Sequence, residues 1–397
     1  MSRRRGRMLP VRVFTVACAL VACGRDAAPR CDPIVPGVPV ASNSAVPAEP
    51  EAVRFTELWR VGGLVETQAF GEPVAPALGP DRRIAVPDFQ LAEVLLIGAD
   101  GEWLGPVAKP GPGPGELDTP VAATWSVDGR LHVFDLGKPA VITFDAAGAF
   151  LHETPVDPAF TAPIVMRGEL SWAGITAAGH LLVQLGVEAK GTDPSRGSES
   201  LLLLRAGSTA IDTLLAVEMP LVWGARFQQW PVPGWPRIAV AIGPGGTIAL
   251  GGTGGDRFVV LDAGARPALQ VCTGAAPQPL TPAERGVESP ESLRDLADAI
   301  AIAPRPESPA AFGRLVLAGD GSIWVQRERR PAFPDFAGSM YGAPGATYDV
   351  FGRDGAYRTT LRMPDAARLQ AVAGDTLWAY EVGSLDQVSL VAYRLER

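Results

Sequence analysis

Two aspartates close apolar segments in the same way, in Ile84-Ala85-Val86-Pro87-Asp88 and Leu131-His132-Val133-Phe134-Asp135. A carboxylate at such a strand end can ligate a hard cation such as calcium, which demands oxygen donors, or accept backbone N–H groups from an adjoining turn. Both readings stand for Asp88 and Asp135. The run Gly111-Pro112-Gly113-Pro114-Gly115 is rich enough in glycine to suggest a phosphate cradle. Prolines separate its glycines, however, and no Lys-Ser or Lys-Thr follows, so a turn is the expectation. His132, His152 and His180 stand singly, and too few cysteines remain to complete a zinc site with them. No serine, histidine and acid fall in the order of a nucleophile elbow, and no acid pair has a spacing that specifies glycoside hydrolysis. Trp223, Phe227, Trp230 and Trp235 gather in a Pro-rich stretch. There they would form a rim for a peptide, glycan or protein, or fill gaps between structural units. No catalytic residue, metal ligand or cofactor site is assigned.

These residues sit in a chain of 397, with 47% hydrophobic content, enough for a substantial core. Its net charge of −8 becomes −13 once the five arginines before Cys23 are removed. An acidic surface without a basic run repels phosphate backbones, so nucleic acid is not an expected partner. Residues 1–22 follow the order of a secretory signal: a basic start, an apolar run from Val13 to Ala22, then small residues before Cys23. That run is too short to span a bilayer. Residues 23–52 carry prolines at Pro29, Pro33, Pro36, Pro39, Pro47 and Pro50 and no periodicity. They are expected to be a disordered tether. Cys18 leaves with the signal, so Cys31 and Cys272 either pair in an oxidising compartment or stay free.

From residue 53 to the C-terminus one pattern recurs: an apolar strand, a Gly-bearing turn, a second apolar strand, a loop and a third strand. The clearest copy spans Val121 to Phe150, with turns at Asp128-Gly129 and Gly148; another holds Asp320-Gly321 and Asp354-Gly355. Six copies can be traced, and the sixth ends near the C-terminus without a final strand. Glu57-Leu58-Trp59-Arg60 reads as an orphan strand. A ring whose last sheet is completed by this strand leaves no open edge. The predicted fold is therefore an all-β, six-bladed β-propeller over residues 53–397, closed by an N-terminal strand, with one helical insertion between Leu280 and Ala303.

Leu20-Val21-Ala22-Cys23 resembles the lipobox of bacterial lipoproteins. The resemblance implies that Cys23 is acylated and becomes the first residue, anchoring the protein to a membrane, and Gly24 resembles the pattern released to the outer membrane, facing the periplasm. Gly111 to Leu117, Pro120, Asp128-Gly129, Leu131 to Asp135, Phe144-Asp145 and Gly148 together resemble one NHL-type repeat, which places the chain beside NHL-like and TolB-like propellers. Some six-bladed hydrolases of gluconolactonase type hold calcium in the axial mouth. The expected function is a non-catalytic binding or scaffold module at the cell envelope, with a protein, peptide or glycan partner. The alternative is a calcium-dependent hydrolase or lyase with its site in that mouth.

Overall fold

The computed structural model describes residues 33–44, 46–64, 68–157, 160–161, 170–190, 193–223, 229–231, 235–275, 310–327 and 341–396. Cys23, Cys31, Phe227 and the helical segment Leu280–Ala303 lie outside them, as do the side chains of Trp223 and Trp230.

The described strands form six sheets of four or five strands. Blade 1 comprises Ala77–Leu78, Ile84–Asp88, Glu93–Ile97 and Trp103–Pro106. Blade 2 comprises Pro120–Trp125, Leu131–Asp135, Ala140–Phe144 and Phe150–Pro155. Blade 3 has the long strands Leu181–Lys190, Asp193–Leu204 and Ile211–Trp223 outside Leu170–Ile175. Blade 4 runs from Ile238–Ile242 through Ile248–Gly252 and Arg257–Leu261 to Pro267–Cys272. Blade 5 runs from Leu315–Leu317 through Ile323–Gln326 and Thr347–Phe351 to Tyr357–Arg362. Blade 6 takes Arg368–Ala373, Thr376–Val382 and Val388–Glu396 from the C-terminal end. Its outer strand is Arg54–Gly62, antiparallel to Val388–Glu396 with Arg54 opposite Glu396.

Each blade buries both faces, which is why its strands read as nearly continuous apolar runs rather than as alternation. In blade 1, Ile84, Val86, Leu95 and Ile97 pack against Trp378, Tyr380 and Leu390 of blade 6. The intervening Ala85, Val94 and Leu96 pack against Leu131, Val133 and Ile142 of blade 2. The same two-residue period generates the four other interblade cores. The core joining blade 6 to blade 1 shows that the ring is closed. The molecule is a six-bladed β-propeller in which the N-terminal strand completes the last sheet.

The segment read as a tether without structure is corrected in part. Val40–Ser42 is a parallel fifth strand on blade 4, pairing Ala41 with Val271 and Ser42 with Cys272. Proline-rich chain cannot build a ladder of its own, but the propeller supplies partners. Gln270 Oε1 accepts from the backbone N–H groups of Ile34 and Val35. Asn43 Nδ2 donates to Cys272 O and Gly355 O, and Asn43 Oδ1 accepts from Tyr357 N. Arg327 donates to the carbonyls of Pro47 and Ala48 while forming a 2.7 Å ion pair with buried Asp349. Residues 33–44 and 46–51 thus form a strap along the rims of blades 4 and 5. Cys272 is disulfide-bonded, with its partner outside the described residues.

Candidate functional site

The innermost strands surround an axial cavity of about 840 Å³ to which all six blades contribute. It stays open because its wall carries small residues such as Ala75, Ala123, Ala173, Ala241 and Ala371. Four long polar side chains interrupt this wall toward one end. Gln184 and Gln326 occupy the fourth position of the second strand in blades 3 and 5, while Arg314 and Gln370 stand at the starts of the innermost strands of blades 5 and 6. All four therefore belong to the end of the ring where Asp88 and Asp135 finish the second strands of blades 1 and 2.

Arg314 is half-buried on the cavity wall, and burial depresses its guanidinium pKa while Tyr348 and Tyr380 push it upward. A guanidinium nevertheless stays protonated. Its Nη1 donates to Tyr341 O at 2.6 Å and Leu369 O at 3.3 Å, and its Nη2 to Gln370 Oε1 at 3.0 Å. Those acceptors are neutral. Gln370 is fixed in turn, its Nε2 donating to the carbonyls of Tyr341 and Arg368. Gly342 permits the close approach: a Cβ there would come within 3.2 Å of both Arg314 Nη1 and Gln326 Oε1, at a φ of +91°. Burial also raises the phenol pKa of Tyr341 and, further, that of Tyr380, keeping both neutral beside the cation.

Across the cavity, Gln184 is oriented by a buried carboxylate. Its Nε2 donates to Glu199 Oε1 at 2.8 Å and to Ile238 O at 3.3 Å. Glu199 is itself fully buried, paired with Arg237 at 2.7 Å and accepting from Ile238 N at 2.6 Å. Because the amide nitrogen must face the carboxylate, Gln184 Oε1 is the atom left over, buried and without a hydrogen-bond partner. Gln184 is 0% exposed, so this oxygen has no surface open to the cavity.

The two aspartates are placed at the same end but, unlike the four long polar residues, do not line the cavity. Asp88 accepts from Gly71 N, Glu72 N and Leu91 N at 2.7, 3.0 and 3.1 Å. Asp135 accepts from Asp118 N, Thr119 N and Lys138 N at 2.7, 3.0 and 3.0 Å. The arrangement is the same in both blades, and both carboxylates are fully buried outside the cavity wall. Of the two chemistries open to them, they perform the clamping of backbone. In blade 4, Thr253 Oγ1 accepts from Arg237 N across the same 16-residue separation. The Gly-rich run is a pinned turn: Gly113 N donates to Glu116 Oε2, and Lys138 Nζ donates to Gly113 O, Glu116 O and Glu153 Oε1.

Among the described residues, no carboxylate lines the cavity and no group of three His, Cys, Asp or Glu is placed to share a metal ion. No helix of the described residues is long and apolar enough to cross a membrane. Arg314, Gln184, Gln326 and Gln370 were not singled out by sequence reasoning. The signal was faint but present, since Leu-Leu-Val-Gln and Ile-Trp-Val-Gln put an amide at one repeat position of two buried strands.

No family model matches the chain, and no curated protein matches it in sequence. Its fold is similar to that of a protein of Bacteroides fragilis NCTC 9343 described as exported, at a TM-score of 0.50 and 10% identity, covering 90% of this chain and 100% of the other. A gluconolactonase of Xanthomonas campestris gives 0.40 at 12% identity over 91% and 98% of the two chains. A PQQ-bound aldose sugar dehydrogenase of Streptomyces coelicolor gives 0.42 at 13% over 88% and 100%. At these identities the likeness concerns the fold alone.

Proposed function

We propose that this chain is an exported, lipid-anchored β-propeller that acts as a non-catalytic binding module at the cell envelope and takes a small ligand in its axial cavity. The observation that carries the reading is the cavity itself: open, walled largely by small apolar side chains, and, among the described residues, equipped with amides and guanidiniums instead of the carboxylates that hydrolytic or calcium chemistry would call for. Asp88 and Asp135 give their oxygens to backbone amides. Export and anchoring rest on the N-terminal order ending at Cys23, with the outer membrane facing the periplasm as the site. The description of the Bacteroides neighbour as exported is in keeping with this.

Two measurements test it. Native mass spectrometry of the mature protein released gently from its own envelope should show a bound small molecule, and Ala75→Trp should remove it. Ala75 faces the cavity and belongs to no interblade core, so this variant fills the ligand space and leaves the fold intact. The same bound mass on the parent and on the filled variant defeats the cavity reading. Cys23→Ala should move the protein from the membrane to the soluble envelope fraction; retention on the membrane defeats the anchor.

A further inference from the structure

Arg314 narrows the chemistry of the ligand. A guanidinium has five N–H donors, and this one makes three hydrogen bonds, none from Nε and none to a carboxylate. Holding a cation out of bulk water among neutral acceptors is costly unless an anion completes the site. The same low dielectric that raises this cost strengthens attraction to an incoming anion. The geometry thus describes a half-built ion pair whose other half is not among the described residues.

Charge number selects the anion. Apart from Arg314, the cation on the described wall is Arg82, which sits in the turn before Ile84 at the opposite end of the ring and is exposed. A phosphate monoester near two negative charges would leave one unmatched in an apolar chamber, whereas a carboxylate carries one and fits the planar fork. The alanine-rich wall calls for an apolar body.

We propose that the cavity takes a small organic monocarboxylate with an apolar body, its acid group on Arg314. This rests on the axial cavity being the binding site and goes further by naming the class of ligand.

The test uses the full mature protein in detergent, cleared of bound ligand, and calorimetric titration with a fixed panel. The panel holds hexanoic to dodecanoic acids and phenylpropanoic acid, each beside its primary amide. At least one acid binds, and its amide binds about tenfold more weakly or worse. Arg314→Gln erases the difference between acid and amide. Should Arg314→Gln fail to fold, the acid–amide comparison on the unaltered protein and Arg314→Lys, which keeps the charge and loses the fork, decide the question. Equal binding of acids and amides, undiminished acid binding by Arg314→Gln, or no binding by any acid overturns the proposal. Ala75→Trp separates the two levels of inference: if amides and acids bind equally and this variant abolishes both, the cavity stands as the site and the carboxylate assignment falls. If it leaves binding untouched, the cavity reading itself falls.

Discussion

At the scale of single residues, the aspartates show how one side chain can stabilise a blade through hydrogen bonds its neighbours need. Asp135 gathers three backbone N–H groups that face no other acceptor, and it is fully buried. Asp135→Asn keeps the shape but replaces one acceptor oxygen with a donor and removes the charge. It should lower stability by about 2–3 kcal/mol, read as a fall in the urea midpoint without a change in slope. A smaller effect, matching that of Asn at exposed Asp320, would mean the clamp contributes little. His132 supplies a pH dependence. Burial pulls its imidazole below the ordinary 6.5, with Asp128 opposing and His152 and Arg130 adding to the fall. The unfolded chain therefore takes up a proton first as pH drops, so the contribution to stability is full above 6.5 and is lost in the window below it. His180 is shifted the same way by burial, with Arg205 adding. The thermal midpoint should fall between about pH 7.5 and 5.5, and His132→Gln should narrow that fall. Of these residues, sequence exposed the aspartates with both their possible roles. Choosing between the roles required the 16- and 17-residue return of the chain that brings Thr119 and Asp118 onto Asp135. The four cavity residues were harder to read, because an amide in a buried strand looks like a solvent-facing position until the blades are in register.

At the scale of elements, the blades were legible because strand, Gly turn and strand repeat locally, and turns such as Asp128-Gly129 need only neighbouring residues to form. The strap was not legible, because everything that orders it is remote in sequence: Asn43 and Gly355 are 312 residues apart. Its fit depends on an absent side chain. A Cβ on Gly355, at a φ of +75°, would lie 2.6 Å from the Ala41 Cβ and 2.8 Å from Val271 Cγ2. Gly355→Ala should strain the turn and lift the strap from blade 4, at about 1–3 kcal/mol. Asn43→Ala, which removes three hydrogen bonds joining blades 4 and 5, should cost about 1.5–3 kcal/mol. If both act through the strap, the double variant loses less than the sum of the two, and a double-mutant cycle measures the difference. Strict additivity would show that the strap lies on the rim without holding it.

At the scale of the whole molecule, six interblade cores are cooperative only while the ring is closed, and closure depends on one strand from the far end of the chain. The orphan strand at Glu57 to Arg60 announced this in sequence, since a sixth unit short of a strand and an unpaired strand near the start complement each other. In the structure, Arg54–Gly62 completes blade 6, with Thr56 Oγ1 on Glu396 Oε1 at 2.7 Å, Arg60 on Glu381 at 2.8 Å and Phe55 edge-on to Tyr393. Relative to a chain starting at Val53, one starting at Leu64 should lose cooperative unfolding and associate through the exposed edge of Val388–Glu396. Such a loss alone does not separate a missing strand from a damaged start. Register supplies the control: Arg54 lies opposite Glu396, so an Asn-Gly turn can lead from Glu396 straight back into Arg54 as a hairpin. A permuted chain that begins at Leu64 and ends with that turn and residues 54–62 should regain a single cooperative transition, with a midpoint near that of the Val53 chain. Recovery would show that the strand is needed for its place in the ring and not for its place in the sequence. A permuted chain that remains associated, like the truncated one, would mean that closure must form from the N-terminal side as the chain folds.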